Sequence, residues 1–151
     1  MKKICVVGFF VVSLLGTLFH FTYDLVPIFI FPKNESIFEH TKLIFMPMLI
    51  YYFISFYFLN NKKRMFTIFI TSILIGILLV VSIYYIYSGI LGFDNDIINV
   101  MIYYVAVLIM FLNLYKEKTL FSFTNSVVIC IIIFILMIVF TYYPLNIAFF
   151  N

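Results

Sequence analysis

Five apolar stretches, separated by short polar turns, leave this chain few folds to choose from. They run over residues 4–23, 36–59, 65–87, 97–115 and 125–143. A helix needs about 20 predominantly apolar residues to cross the hydrocarbon core of a bilayer, where no water can satisfy backbone groups. Of the 151 residues, 66% are hydrophobic and 10% charged, whereas soluble domains carry roughly 25% charged residues. There is too little polar surface here to cover a soluble body. The sequence predicts an all-α polytopic membrane protein, a single bundle of five transmembrane helices with the lipid bilayer as solvent.

The first stretch follows Lys2 and Lys3 and has the look of a signal peptide. It is longer than the usual ~7–15-residue signal core, and His20, Tyr23 and Asp24 stand where cleavage needs small residues. It reads as a retained helix. The next segment, with Pro27 and Pro32, argues against continuous helix and suggests an interfacial connector. The second span is short unless it begins near Ser36, where Ser36-Ile37-Phe38-Glu39 fits a capping box. Pro47 is expected to kink it and to leave the Leu43 carbonyl without its usual donor. In the third span Gly76, with Thr71 and Ser72, suits close helix approach.

Charge sets the expected orientation. Lys2, Lys3, Lys62, Lys63, Arg64, Lys116 and Lys118 fall in loops on one side, and only Lys33 and Lys42 fall on the other. Basic loops stay in the cytoplasm, so the N-terminus is expected inside and the C-terminus outside a cytoplasmic membrane. Tyr23, Tyr84, Tyr85, Tyr87, Tyr103, Tyr104, Tyr142 and Tyr143 then share the outer leaflet, as an aromatic belt or as the lining of a pocket. With a net charge of +3 and no long basic tract, nucleic acid is a poor partner. Cys5 and Cys130 show no ligand spacing and read as small free thiols.

The chemistry concentrates in residues 32–42. Glu35 and Glu39 are four apart, Lys42 continues their stripe, and His40 points about a quarter-turn away. At the end of the first span, His20 and Asp24 are also four apart and project within ~40° of each other on a helix. Ionisable groups beside hydrocarbon are expensive unless paired or wet, so the cluster is a candidate site. Glu35, Glu39 and His40 are the candidate catalytic groups; His20, Asp24, Asn34, Ser36 and Lys42 are candidate ligand or structural residues. His20, Asp24, Glu35, Glu39 and His40 would suit a divalent metal such as zinc, manganese or iron, or proton transfer. Plainer roles compete: Glu39 as a cap, Glu35 as a complement to the helix dipole, and Lys42 as its ion-pair partner or a snorkelling cation. No Glu-x-x-His or His-Glu-x-x-His spacing is present, and adjacent Glu39 and His40 cannot both aim at one ion from a regular helix.

His20-Phe21-x-Tyr23-Asp24, then Pro32-x-Asn34-Glu35-Ser36-x-Phe38-Glu39-His40-x-Lys42-Leu43, then Phe45-x-Pro47 resembles a family of short bacterial multi-pass membrane proteins, a domain of unknown function. That family is marked by a Pro-Val-Asn-Glu-Ser-x-Trp-Glu-His-x-Lys segment after its first span. The likeness is close over roughly the first third of the chain and is one of hydropathy beyond. Lys33 replaces the usual valine and Phe38 the usual tryptophan. The resemblance implies that Asn34, Glu35, Ser36, Glu39, His40 and Lys42 form the shared feature, and it implies no activity.

Two classes of function stay open. One is a non-catalytic protein, for binding, transport support or interaction, with a polar pocket near the outer leaflet between the first two helices. The other is a membrane-embedded, metal-dependent hydrolase of a lipid or headgroup, with Glu35 or Glu39 as base, His20 and His40 as ligands or proton carriers, and Lys42 as an anion contact. A homodimer or another membrane protein would be the partner.

Overall fold

The structure, a computed structural model, describes residues 2–22, 31–33 and 36–144. Five helices account for nearly all of them: α1 (Lys2–Phe21), α2 (Ile37–Ser55), α3 (Lys62–Leu91), α4 (Asp96–Tyr115) and α5 (Phe123–Tyr142). A short 3-10 turn, Phe56–Phe58, prolongs α2. All five are long and apolar enough to cross a membrane.

Local chemistry sets the boundaries. Ser36 caps α2, its hydroxyl accepting the Glu39 amide at 3.4 Å. Asn61 caps α3 through the Arg64 amide, Asn95 caps α4 through the amides of Ile97 and Ile98, and Ser122 caps α5 through Asn125. Each side-chain oxygen satisfies donors that the first turn of a helix leaves open. Helix α3 is longer at both ends than the expected 65–87. Asn61 starts it early, and it ends only at Gly92, whose φ of 74° is the left-handed conformation that stops a helix. Its 30 residues make a rod of about 45 Å, half as long again as the ~30 Å hydrocarbon core.

Helices α1 to α4 pack cyclically, α1 on α2, α2 on α3, α3 on α4 and α4 back on α1, and α5 lies outside against α3 and α2. Helix α2, in contact with α1, α3 and α5, is the most buried of the five and so the hub. Some 61% of its most apolar stretch is buried, against 11% for that of α5. Its hydrophobic character all round follows from this position. Helix α2 runs unbroken through Pro47, and the Leu43 carbonyl lies close to Gly16 of α1.

Close approach is concentrated at three glycines. Gly8 faces the rings of Tyr51 and Phe111, Gly16 faces Tyr103 and the Leu43 carbonyl, and Gly76 faces Met110 and Ile44. Polar crosslinks tie the same helices. Tyr51 Oη donates to the Ile4 carbonyl at 2.5 Å and Tyr103 Oη to that of Val12 at 3.0 Å, while Asn113 Nδ2 donates to Ser72 Oγ at 2.9 Å. Where lipid surrounds helices there is no hydrophobic drive between them, and small-residue contacts and interhelical hydrogen bonds of this kind carry the packing.

The α3–α4 turn is organised by Asp94. Its carboxylate accepts from Tyr87 Oη at 2.6 Å, the Asn95 amide at 2.7 Å, Asn99 Nδ2 at 2.9 Å and Tyr84 Oη at 3.3 Å. The Tyr87 hydroxyl, with the other donors, holds this carboxyl below the usual range. A carboxyl depressed in the folded state stabilises it above the unfolded pKa of about 3.9, and that contribution is lost as the pH falls through the lower folded value. Acid unfolding followed by circular dichroism should therefore be shallower below about pH 4 in Asp94→Asn than in the wild type; equal profiles would deny Asp94 this role.

Candidate functional site

The first turn of α2 carries the polar cluster into the protein. Glu39 and Lys42 lie one turn apart, so both side chains leave the same face of the helix. That face meets α5. Lys42 Nζ donates to Glu39 Oε2 at 2.5 Å, to Thr141 Oγ1 at 2.5 Å and to the Phe31 carbonyl at 3.5 Å. An ammonium has three protons, and here each has an acceptor. The lysine side chain is 0% exposed and the glutamate 4%.

The glutamate is equally engaged. Oε2 also accepts the Lys33 amide at 2.7 Å, and Oε1 lies 3.2 Å from Thr141 Oγ1. Thr141 Oγ1 is 2.5 Å from the Met137 carbonyl as well, so its single proton serves either that carbonyl or Glu39. Lys33 Nζ reaches the Thr141 carbonyl at 3.5 Å. One ion pair thus joins the connector, α2 and the last turn of α5. A cleft of about 50 Å³, lined by Lys33, Ser36, Phe38, Glu39, Phe140 and Thr141, opens beside it. Each ordered water needs at least ~10–15 Å³ of such space, so the cleft admits a small polar group and no more.

His40, a quarter-turn from Glu39, faces the other way. Its ring lies 5.5 Å from that of His20 at the end of α1, inclined at 40°. His40 Nδ1 is 2.9 Å from the Ser36 carbonyl. A carbonyl can only accept, so Nδ1 carries the proton. The structure thus splits the sequence cluster across the hub helix, with the histidines toward α1 and the ion pair toward α5. Between the first two helices His20 and His40 approach each other, whereas Glu39 and Lys42 face α5.

Asp24, Asn34 and Glu35 lie outside the described residues. Among those described, no three His, Cys, Asp or Glu side chains come together as a metal site would need. Ser36 acts as the cap of α2. Sequence reasoning missed Thr141, which stands 102 residues from Glu39; a threonine in the last turn of the most apolar helix was the only signal. It also passed over Gly8 and Gly16.

The model of a family described as "Family of unknown function (DUF6512)" matches residues 1–151. The chain belongs to this family. The match extends over every helix, beyond the first third in which the motif falls. No curated protein and no solved structure matches the chain. The family and the five apolar helices together make this member of DUF6512 compatible with a multi-pass membrane protein.

Proposed function

We propose that this DUF6512 member is a five-span protein of the cytoplasmic membrane, N-terminus inside, that binds rather than transforms its ligand. The seven-to-two division of basic residues supports the orientation. It brings the Glu39–Lys42 end to the outer leaflet. The observation that carries the binding reading is the saturation of the ion pair. Every proton of the Lys42 ammonium has an acceptor, and Glu39 accepts from the Lys42 ammonium and the Lys33 amide with the Thr141 hydroxyl beside it. A general base must be in reach of a substrate proton, and this carboxylate is already committed to the protein. The pair is a fixed polar wall, and the small cleft beside it receives a polar terminus such as a hydroxyl or amide.

Mass spectrometry of small molecules co-purifying with the protein in mild detergent tests this. A species retained by the wild type and lost from Phe140→Trp, which fills the cleft without touching the ion pair, is the expected result. Identical retention, or none, would remove the binding reading.

The His20–His40 approach favours a second reading, a divalent metal on the α1 side that would serve the hydrolase. Two imidazoles at this separation fit half a coordination shell, and the Ser36 carbonyl on Nδ1 orients His40 as metal-bound histidines are oriented. The metal would take Nε2. Elemental analysis decides it: stoichiometric metal in the wild type and none in His20→Ala/His40→Ala supports it, and no metal in either rejects it.

A further inference from the structure

At the opposite end of the bundle a second concavity lies between the first turns of α1 and the last turns of α2. It measures about 620 Å³ and is walled by Ile4, Val7, Tyr51, Ile54 and Phe58, with Lys2 and Lys3 at its rim. Its size falls within the ~300–1,000 Å³ of ordinary ligand sites. The hydrogen bond from Tyr51 to the Ile4 carbonyl pins the two helices together here. Val7, Ile54 and Phe58 are exposed apolar surface.

The charges at this end are unequally engaged. Lys62 stacks over the Phe56 ring at 4.1 Å, Lys63 over Phe123 at 5.7 Å, and Arg64 pairs with Glu117 at 3.4 Å. Lys2 and Lys3 are exposed, and among the described residues no carboxylate lies within ion-pair distance of either. Two adjacent cations thus stand beside an apolar groove between α1 and α2. We infer that this groove is a site for one anionic phospholipid, its phosphate held by Lys2 and Lys3 and an acyl chain laid against Val7, Ile54 and Phe58. Charge complementarity selects the headgroup, and the apolar walls select a lipid over a soluble anion. The site shares no residue with the Glu39–Lys42 cleft and stands or falls separately.

The test titrates the purified protein in mild detergent with phosphatidylglycerol, phosphatidylcholine or glycerol phosphate and reads binding by native mass spectrometry. Two lysines at a lipid surface imply a preference for phosphatidylglycerol over phosphatidylcholine of about ten- to thirty-fold. Lys2→Gln/Lys3→Gln should abolish that preference. Ile54→Trp should weaken both lipids by filling the groove. Lys116→Gln/Lys118→Gln, which removes the same charge elsewhere, should change neither. The site is overturned if the Lys116/Lys118 variant loses the preference equally, since the attraction would then be diffuse. It is also overturned if glycerol phosphate binds as well as the lipid, or if the Lys2/Lys3 variant keeps the wild-type ratio.

Discussion

Lys42→Met should lower unfolding stability by about 3–5 kcal/mol, the usual cost of removing one partner of a buried ion pair. The substitution keeps an unbranched hydrophobic stem and removes the ammonium, so little of the loss comes from packing. What remains is a carboxylate at 4% exposure that keeps the Lys33 amide and Thr141 but has lost its cation. In the double variant Glu39→Gln/Lys42→Met no charge is stranded, and most of the stability should return. Thr141→Val should cost less, about 1–3 kcal/mol, because it leaves the buried Lys42 ammonium short of one acceptor. Equilibrium unfolding in mixed micelles, followed by far-UV circular dichroism, measures all three. A loss under about 1 kcal/mol for Lys42→Met, comparable to an exposed pair, would mean the pair is wet in solution. A double variant as unstable as the single one would show that stranded charge is not the cause.

The five apolar helices were legible because hydropathy is a local property of the sequence. The capping role of Ser36 was legible for the same reason: it depends on three residues of sequence. The partner of Glu39 was not. Helical phase puts Glu39 and Lys42 on one face and His40 on another, yet phase alone does not say which neighbouring helix each face meets. That depends on α2 being the hub, with α1 on one side and α5 on the other. The connector's shortness drew the expected site toward α1, whereas Thr141 reaches Glu39 across 102 residues of chain. Gly8 and Gly16 escaped notice for a related reason. A glycine in an apolar helix marks a close contact only when the atoms opposite it are known.

Gly16 is where that knowledge has its largest consequence. A methyl group added there would lie 2.6 Å from Tyr103 Cζ and 2.9 Å from the Leu43 carbonyl oxygen, with Tyr103 Oη nearer still. Neither neighbour gives way easily. Tyr103 is tethered through its hydroxyl to Val12 O at 3.0 Å, and Leu43 belongs to the backbone of the hub helix. Gly16→Ala should therefore cost about 1–3 kcal/mol by overpacking, and Gly16→Val more. Tyr103→Phe alone gives up one hydrogen bond, about 1 kcal/mol. In the Gly16→Ala background, however, it removes the nearest obstructing atom. The two changes should be less than additive, with a coupling of about 0.5–3 kcal/mol. Gly89, also in a helix but with no neighbouring side chain or other helix within 4 Å of where a methyl group would stand, is the control. There alanine should be neutral or stabilise by up to about 1 kcal/mol, as helix propensity alone predicts. If Gly16→Ala behaved like Gly89→Ala, α1 could not be seated against α2 and α4 as closely as the Gly16 contacts require. The cyclic packing that holds α2 at the centre, and with it the burial of Lys42, would then need another explanation.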